Sequence, residues 1–156
     1  MNFLQSIKTC FRKYANFKGR AMRSEFWWFQ LLIVTMTIVT LTIDNLLFGY
    51  TLDDAATPSV VIFAIGFVVP TASVMARRLH DIGWSGWVQL PGFLSYVAYL
   101  DIWLADFSVS PLGSKLIVAG SLYGAVLAFI LIKDSQPKTN KYGPNPKAPE
   151  MGEVFN

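Results

Sequence analysis

Metal-binding side chains are almost missing from this sequence, which has one cysteine, Cys10, and one histidine, His80. A lone cysteine excludes an intrachain disulfide. The pair also falls short of the Cys and His set that a zinc site needs. Charge is scarce as well: Asp, Glu, Lys and Arg make up 15% of the 156 residues, against about 25% in soluble domains. There is no His-Glu-x-x-His, no Cys-x-x-Cys, no phosphate-binding loop and no Gly-x-Gly-x-x-Gly. The sequence therefore predicts no metal, no cofactor and no catalytic residue. A small-x-small cleavage site behind the first apolar run is also lacking, so insertion through an uncleaved first helix is expected. We find no internal repeat.

Apolar length is what the chain has in quantity, with 53% hydrophobic residues. Four segments, at about 26–47, 59–76, 87–104 and 116–132, are long and apolar enough to cross a bilayer. At 1.5 Å per residue each reaches about 25–33 Å, close to a hydrocarbon core of about 30 Å. The expected fold is all-α, a four-helix transmembrane bundle forming a membrane domain over residues 1–134. Residues 135–156 carry Pro137, Pro144, Pro146 and Pro149 and are expected to form a flexible tail.

The basic residues orient the bundle. Lys8, Arg12, Lys13, Lys18, Arg20 and Arg23 precede the first segment, Arg77 and Arg78 lie between the second and third, and Lys133, Lys138, Lys141 and Lys147 follow the fourth. Only Lys115 falls on the other side, which holds Asp44, Asp53, Asp54, Asp101 and Asp106. The positive-inside rule places the basic side, and with it both termini, in the cytoplasm. The net charge of +3 is thus a topology signal, and no nucleic-acid partner is expected. Trp27, Trp28, Trp84 and Trp87 fall at the inner boundary and Tyr50 and Trp103 at the outer one, as amphipathic rings should. Phe3, Leu4, Ile7, Phe11 and Tyr14 recur at helical spacing, with Lys8, Arg12 and Lys13 largely elsewhere on the wheel. This pattern predicts a short amphipathic N-terminal helix, lying either in the headgroup region or on the protein's own cytoplasmic face.

Three stretches combine into a specific signature: Tyr14-Ala-Asn-Phe-Lys-Gly-Arg-Ala-Met-Arg-Ser-Glu-Phe-Trp27, Ala76-Arg-Arg-Leu-His-Asp-Ile-Gly-Trp-Ser-Gly-Trp87, and Asn140-Lys-Tyr-Gly-Pro-Asn-Pro146. Together they resemble the domain of unknown function 805 family of small bacterial inner-membrane proteins, over nearly the whole chain. One departure is the lack, before Asn140, of a glycine that such proteins often carry. The resemblance implies a bacterial plasma membrane and several helices, and no established activity.

The residues themselves suggest where function could sit. Arg20, Arg23, Glu25, Arg77, Arg78, His80 and Asp81 share one membrane boundary. Guanidinium forks match phosphate oxygens, so this cluster suits an anionic lipid headgroup or a protein partner. Alternatively Asp81 pairs with an arginine and locks the loop, or the charges only enforce topology. Ser24 and Ser85 are candidate N-caps, with Glu25 favourably placed at a helix N-terminus. Pro70 and Pro91 each remove a backbone donor, freeing the carbonyls of Gly66 and Trp87 either to line a small polar cavity or simply to accompany a kink. Gly120, Gly124 and Ala128 form a small-residue stripe for helix packing within the bundle or between copies in a homo-oligomer. Asp44 and Asp101 fit solvated positions near the outer boundary, and Thr35, Thr37, Thr40 and Thr42 should bond their own helix backbone. The leading expectation is a non-enzymatic membrane protein that binds lipid or a partner. A small transporter or channel component, or an enzyme acting on a lipid phosphate through His80, are the alternatives.

Overall fold

The computed structural model describes residues 1–49, 57–93 and 111–147. Among them are five helices: α1 (Phe3–Arg12), α2 (Arg23–Phe48), α3 (Pro58–Asp81), a 3-10 helix (Gly86–Phe93) and α4 (Pro111–Leu131). No strand occurs among the described residues, only an isolated bridge between Asn140 and Gly143. Three helical stretches are long and apolar enough to cross a membrane: Arg23–Phe48, Ile62–Asp81 and Pro111–Leu131. They match the expected first, second and fourth segments.

The expected third span is different. Its first residues belong to the 3-10 helix, and residues 94–104 lie outside the described ones. Pro91 lies inside this 3-10 stretch, whereas α3 continues as an α-helix through Pro70. Four spans are therefore not established, whereas the all-helical architecture and three spans are.

α1 packs against α2 and α3. Asn2 and Gln5 form a reciprocal capping box at its start, with Gln5 N–H donating to Asn2 Oδ1 at 2.9 Å and Asn2 N–H to Gln5 Oε1 at 3.1 Å. One face packs on the spans: Ser6 and Cys10 are buried, Phe3 meets Trp28 edge-on, and Phe11 meets Phe29 and Phe67. Leu4, Lys8 and Arg12 stay exposed on the other. Tyr14, just beyond the helix, donates its hydroxyl to the Gly66 carbonyl at 2.6 Å. That carbonyl is the one Pro70 leaves without its helical partner, so it does not line an open cavity.

The apolar core gathers at the basic end of the helices, around Cys10, Phe26, Phe29, Val74, Leu79, Leu127 and Leu131. Away from it the spans turn apolar side chains outward, among them Ile38, Leu46, Ile62, Ile65 and Phe129, as helices facing lipid must. Their backbone polarity is satisfied internally, and Thr35, Thr37, Thr40 and Thr42 add hydroxyl bonds to the carbonyls four residues back at 2.8–2.9 Å. α2 ends at Gly49, whose φ of 71° and N–H bond to the Asn45 carbonyl close the last turn. α4 joins the other helices chiefly through the 3-10 helix.

Candidate functional site: a buried ion-pair hub

The turn after α3 sets the geometry. Gly83, at φ 88°, donates to the His80 carbonyl at 3.0 Å, and Trp84 N–H reaches the Leu79 carbonyl at 2.9 Å. These two bonds form a Schellman cap with glycine in the left-handed position. A Cβ on Gly83 would also run into the Gln136 side chain. The 3-10 helix then returns tightly along α3, where a Cβ on Gly86 would stand 2.9 Å from the Ala76 Cβ.

This turn fixes Asp81 at the centre of a charged cluster sealed from solvent. Its carboxylate accepts Arg20 Nε at 2.8 Å, Arg78 Nη1, and Ser135 Oγ at 2.5 Å. The side chains of Arg20, Arg78 and Asp81 are 1%, 0% and 0% exposed, so these pairs stand in a low-dielectric setting. Arg20 spends its other donors on tail carbonyls: Gln136 at 2.6 Å, Lys138 at 2.9 Å and Gly143 at 3.3 Å. Arg78 caps the end of α4 through the Leu131 carbonyl, at 3.0 Å from Nη2, and the Lys133 carbonyl. A cation on those orphan carbonyls is favoured by the helix dipole. Beside this trio, Arg77 pairs with Glu25 and its carbonyl accepts Ala21 N–H at 3.0 Å. Arg77 Nε and Nη2 are buried without a partner among the described residues.

His80 faces the other way from Asp81, as adjacency on a helix requires. Its ring stacks on Tyr142 at 3.8 Å and 7°, with Nδ1 at 3.1 Å from the Gly19 carbonyl. Asn140 Nδ2 donates to the His80 carbonyl at 2.9 Å, and Asn140 and Gly143 exchange backbone bonds at 3.0 and 3.1 Å. The segment expected as a flexible tail is thus attached to the hub through residue 143. Arg23 sits at the rim, 41% exposed, bridging to Asp134 at 3.4 Å and to the Ile132 carbonyl at 3.2 Å. Asp134 is held below the usual carboxylate range by the Lys147 ammonium and the Ser135 N–H.

The candidate residues therefore divide. Arg20, Glu25, Arg77, Arg78 and Asp81 are together and buried, His80 is at the edge, and Arg23 is at the exposed rim. Gly120, Gly124 and Ala128 lie elsewhere, along the α4 face that borders a cavity. Ser24 does not cap α2: its N-cap is Met22, with no side-chain cap bond. Ser85 Oγ does accept Trp87 N–H, at 3.4 Å. Asp44 is buried rather than solvated and takes the Thr57 hydroxyl; Asp101 lies outside the described residues. Ser135, Gln136, Asn140 and Tyr142 are hub members that residue chemistry alone missed, although the Asn140–Pro146 stretch signalled them. Cys10 Sγ lies 3.9 Å from the Glu25 carbonyl, and burial, followed by the Glu25 charge, pushes its thiol up to about 12. Such a thiol is inert. Among the described residues no group of three His, Cys, Asp or Glu side chains could hold a metal.

Three membrane-length helices, bound at one end by buried arginine pairs, define an integral membrane protein built around a structural ionic crosslink. The chain belongs to the family described as "Protein of unknown function (DUF805)", whose model matches residues 14–144. It is 32% identical over 91 residues to inner membrane protein YhaH of Escherichia coli K12, covering 58% of this chain and 74% of that one. It is 26% identical over 97 residues to inner membrane protein YhaI of the same strain, covering 62% and 78%. No solved structure matches. The three signature stretches, far apart in sequence, all converge on the hub.

Proposed function

We propose that this is a non-enzymatic protein of the bacterial inner membrane, with both termini in the cytoplasm, whose basic end holds anionic lipid headgroups. The observation that carries the reading is the division of the arginines. Arg20 and Arg78 are consumed internally, but they dock the tail, whose Lys133, Lys138, Lys141 and Lys147 are exposed and which meets Arg23 through Asp134. Such a set of exposed cations suits an anionic leaflet, at about 1 kcal/mol per cation near the surface. Arg77 adds an excess positive charge behind them, since three buried guanidiniums face two carboxylates. The enzyme reading loses support, because His80 is occupied by Tyr142 and the Gly19 carbonyl rather than by a nucleophile.

The test is reconstitution in nanodiscs of phosphatidylcholine with and without phosphatidylglycerol. Phosphatidylglycerol should raise the melting temperature of the native chain. It should have much less effect on a variant with Arg23, Lys133, Lys138 and Lys141 changed to glutamine. Equal response of the two proteins would refute the reading. For orientation, a cysteine placed at Thr139 should resist an impermeant maleimide in intact cells and react after lysis.

A further inference from the structure

The depth of α1 follows from contacts at its two ends. Phe3 meets the Trp28 ring edge-on at 5.6 Å, and the carbonyl of Lys13 accepts Ser73 Oγ at 3.1 Å. The Glu25–Arg77 pair shows where α2 and α3 are level. Trp28 is three residues beyond Glu25 on the side away from the hub, and Ser73 is four residues from Arg77 on that same side. At 1.5 Å per residue these steps are about 4.5 and 6 Å. Both ends of α1 therefore stand at nearly one depth, and the helix lies across the spans rather than along them. A second measure makes that depth a membrane boundary. From Trp28 to the end of α2 at Phe48 is about 30 Å, the thickness of a hydrocarbon core. Trp27 and Trp28 are partly exposed at this level, as aromatic rings at an interface should be.

The rotation of α1 about its axis is fixed as well. Ser6 and Cys10 face the spans. Tyr14 and Phe11 reach Gly66 and Phe67, which lie further from the hub along α3 than Ser73 does. That edge of α1 therefore points into the hydrocarbon. With about 3.6 residues per turn, Leu4 and Ile7 share the edge with Phe11. Leu4 is 74% exposed and Phe11 43%. Ile62, one turn beyond Gly66 on the same face of α3, is exposed too, so the apolar edge runs on into the outward surface of the span. The next positions round the helix, away from the spans, are Lys8 and Arg12, both exposed, with Gln5 beyond them on the water side. Lipid matches this order of side chains: acyl chains below, phosphates at the flank and water above. A soluble partner would meet the cations and Gln5 but not Leu4.

We infer that α1 is an interfacial helix of the inner leaflet, with Leu4 and Phe11 among the acyl chains and Lys8 and Arg12 on the phosphates of anionic lipid. The choice of leaflet rests on the orientation proposed above. The seat of α1 in lipid uses none of the tail lysines and stands apart from their role.

The test is nitroxide labelling of the full chain in nanodiscs of phosphatidylcholine and phosphatidylglycerol, at Leu4→Cys or Arg12→Cys in a Cys10→Ala background. Both labelled positions are exposed, so the melting temperature should match that of the unlabelled background. The Leu4 label should collide mainly with oxygen, which dissolves in lipid. The Arg12 label should collide mainly with a water-soluble nickel chelate. A Leu4 label as open to nickel as the Arg12 label overturns the proposal. So does a Leu4 label shielded from both reagents, because protein then covers the face. For the phosphates, the Leu4 label is compared with and without phosphatidylglycerol. Phosphatidylglycerol should slow its motion, and Lys8→Gln with Arg12→Gln should abolish that response. The response should persist when Arg23, Lys133, Lys138 and Lys141 are changed to glutamine. If it is lost in that variant and kept in the Lys8 and Arg12 variant, the phosphate contacts of α1 are overturned and the reading of the tail cations stands. If the label responds as expected while phosphatidylglycerol leaves the melting temperature of the native chain unchanged, the tail reading falls and α1 keeps its place in lipid.

Discussion

Changing Asp81 to asparagine keeps the side-chain shape and removes one negative charge from a place water does not reach. In the native chain three buried guanidiniums, those of Arg20, Arg77 and Arg78, face the carboxylates of Asp81 and Glu25. In the variant a single carboxylate faces all three. Removing one partner of a buried pair costs about 3–5 kcal/mol, most of it the penalty of the stranded charge. Asparagine retains one carbonyl oxygen for one of the two arginines, so about 3 kcal/mol is the fitting figure. The stress has an outlet: Arg20 and Arg78 hydrate if the tail carbonyls of Gln136, Lys138 and Lys133 let go. Tail opening should therefore become more populated by up to about 150-fold, which is 3 kcal/mol expressed as an equilibrium constant. Limited trypsinolysis in nanodiscs reads this directly, since cleavage after Lys138 or Lys141 requires the segment to detach. Asp134→Asn is the control, because its partners Arg23 and Lys147 are substantially exposed and such pairs contribute little. An Asp81→Asn protein whose tail is cut at the native rate, with an unchanged melting temperature, would refute the claim that the hub holds the tail.

Gly83→Ala should lower stability by about 1–3 kcal/mol, since φ 88° strains any side chain and the new methyl meets Gln136; chemical denaturation in detergent measures it. Tyr14→Phe should cost about 1 kcal/mol by removing the donor to the Gly66 carbonyl. The same change should cost clearly less in a Pro70→Ala background, where residue 70 can supply the missing N–H; equal costs in a double-mutant cycle would contradict the assignment. Cys10, fully buried with its thiol pushed to about 12, should resist maleimide at pH 8 until the chain is denatured. Between the ordinary value of 9.0 and about 12 the unfolded chain gives up this proton and the folded chain keeps it. The contribution is therefore whole below pH 9 and is lost as pH rises towards 12, by up to about 1.4 kcal/mol per unit. Cys10→Ala should show a shallower alkaline fall in melting temperature, and parallel curves would contradict the burial.

Long apolar runs made α2, α3 and α4 visible in the sequence, because lipid demands length and apolarity of any helix it surrounds. The third segment is equally apolar, but its first residues form a 3-10 helix and its remainder lies outside the described residues, and hydropathy carries no information on helix type. The hub was legible by halves. Six charged residues and a histidine at one boundary marked its place, and the offset of His80 from Asp81 followed from helical geometry. Whether Arg20 and Arg78 face lipid or the interior was not legible, since most of their partners are backbone carbonyls of residues 131–143. Every residue has a carbonyl, so such partners leave no mark in residue type. Ser24 illustrates the same limit. Its identity suits a cap, but Ala21 is tied to the Arg77 carbonyl, and α2 begins at Arg23, one residue before Ser24.

Positive charge alone can orient a chain in a membrane, and lysine serves for that as well as arginine. The buried guanidiniums do what lysine could not, because lysine offers a point charge where several acceptors must be met in one plane. Arg20 reaches a carboxylate and three tail carbonyls, and Arg78 reaches a carboxylate and the last turn of α4. The final carbonyls of α4 have no donor within their own helix. A guanidinium supplied from α3 satisfies them, and Asp81, one turn further along α3, neutralises it. The hub therefore ties the end of α4 to its neighbours, and the four residues Arg78–Asp81 place both members of that pair on one face of α3.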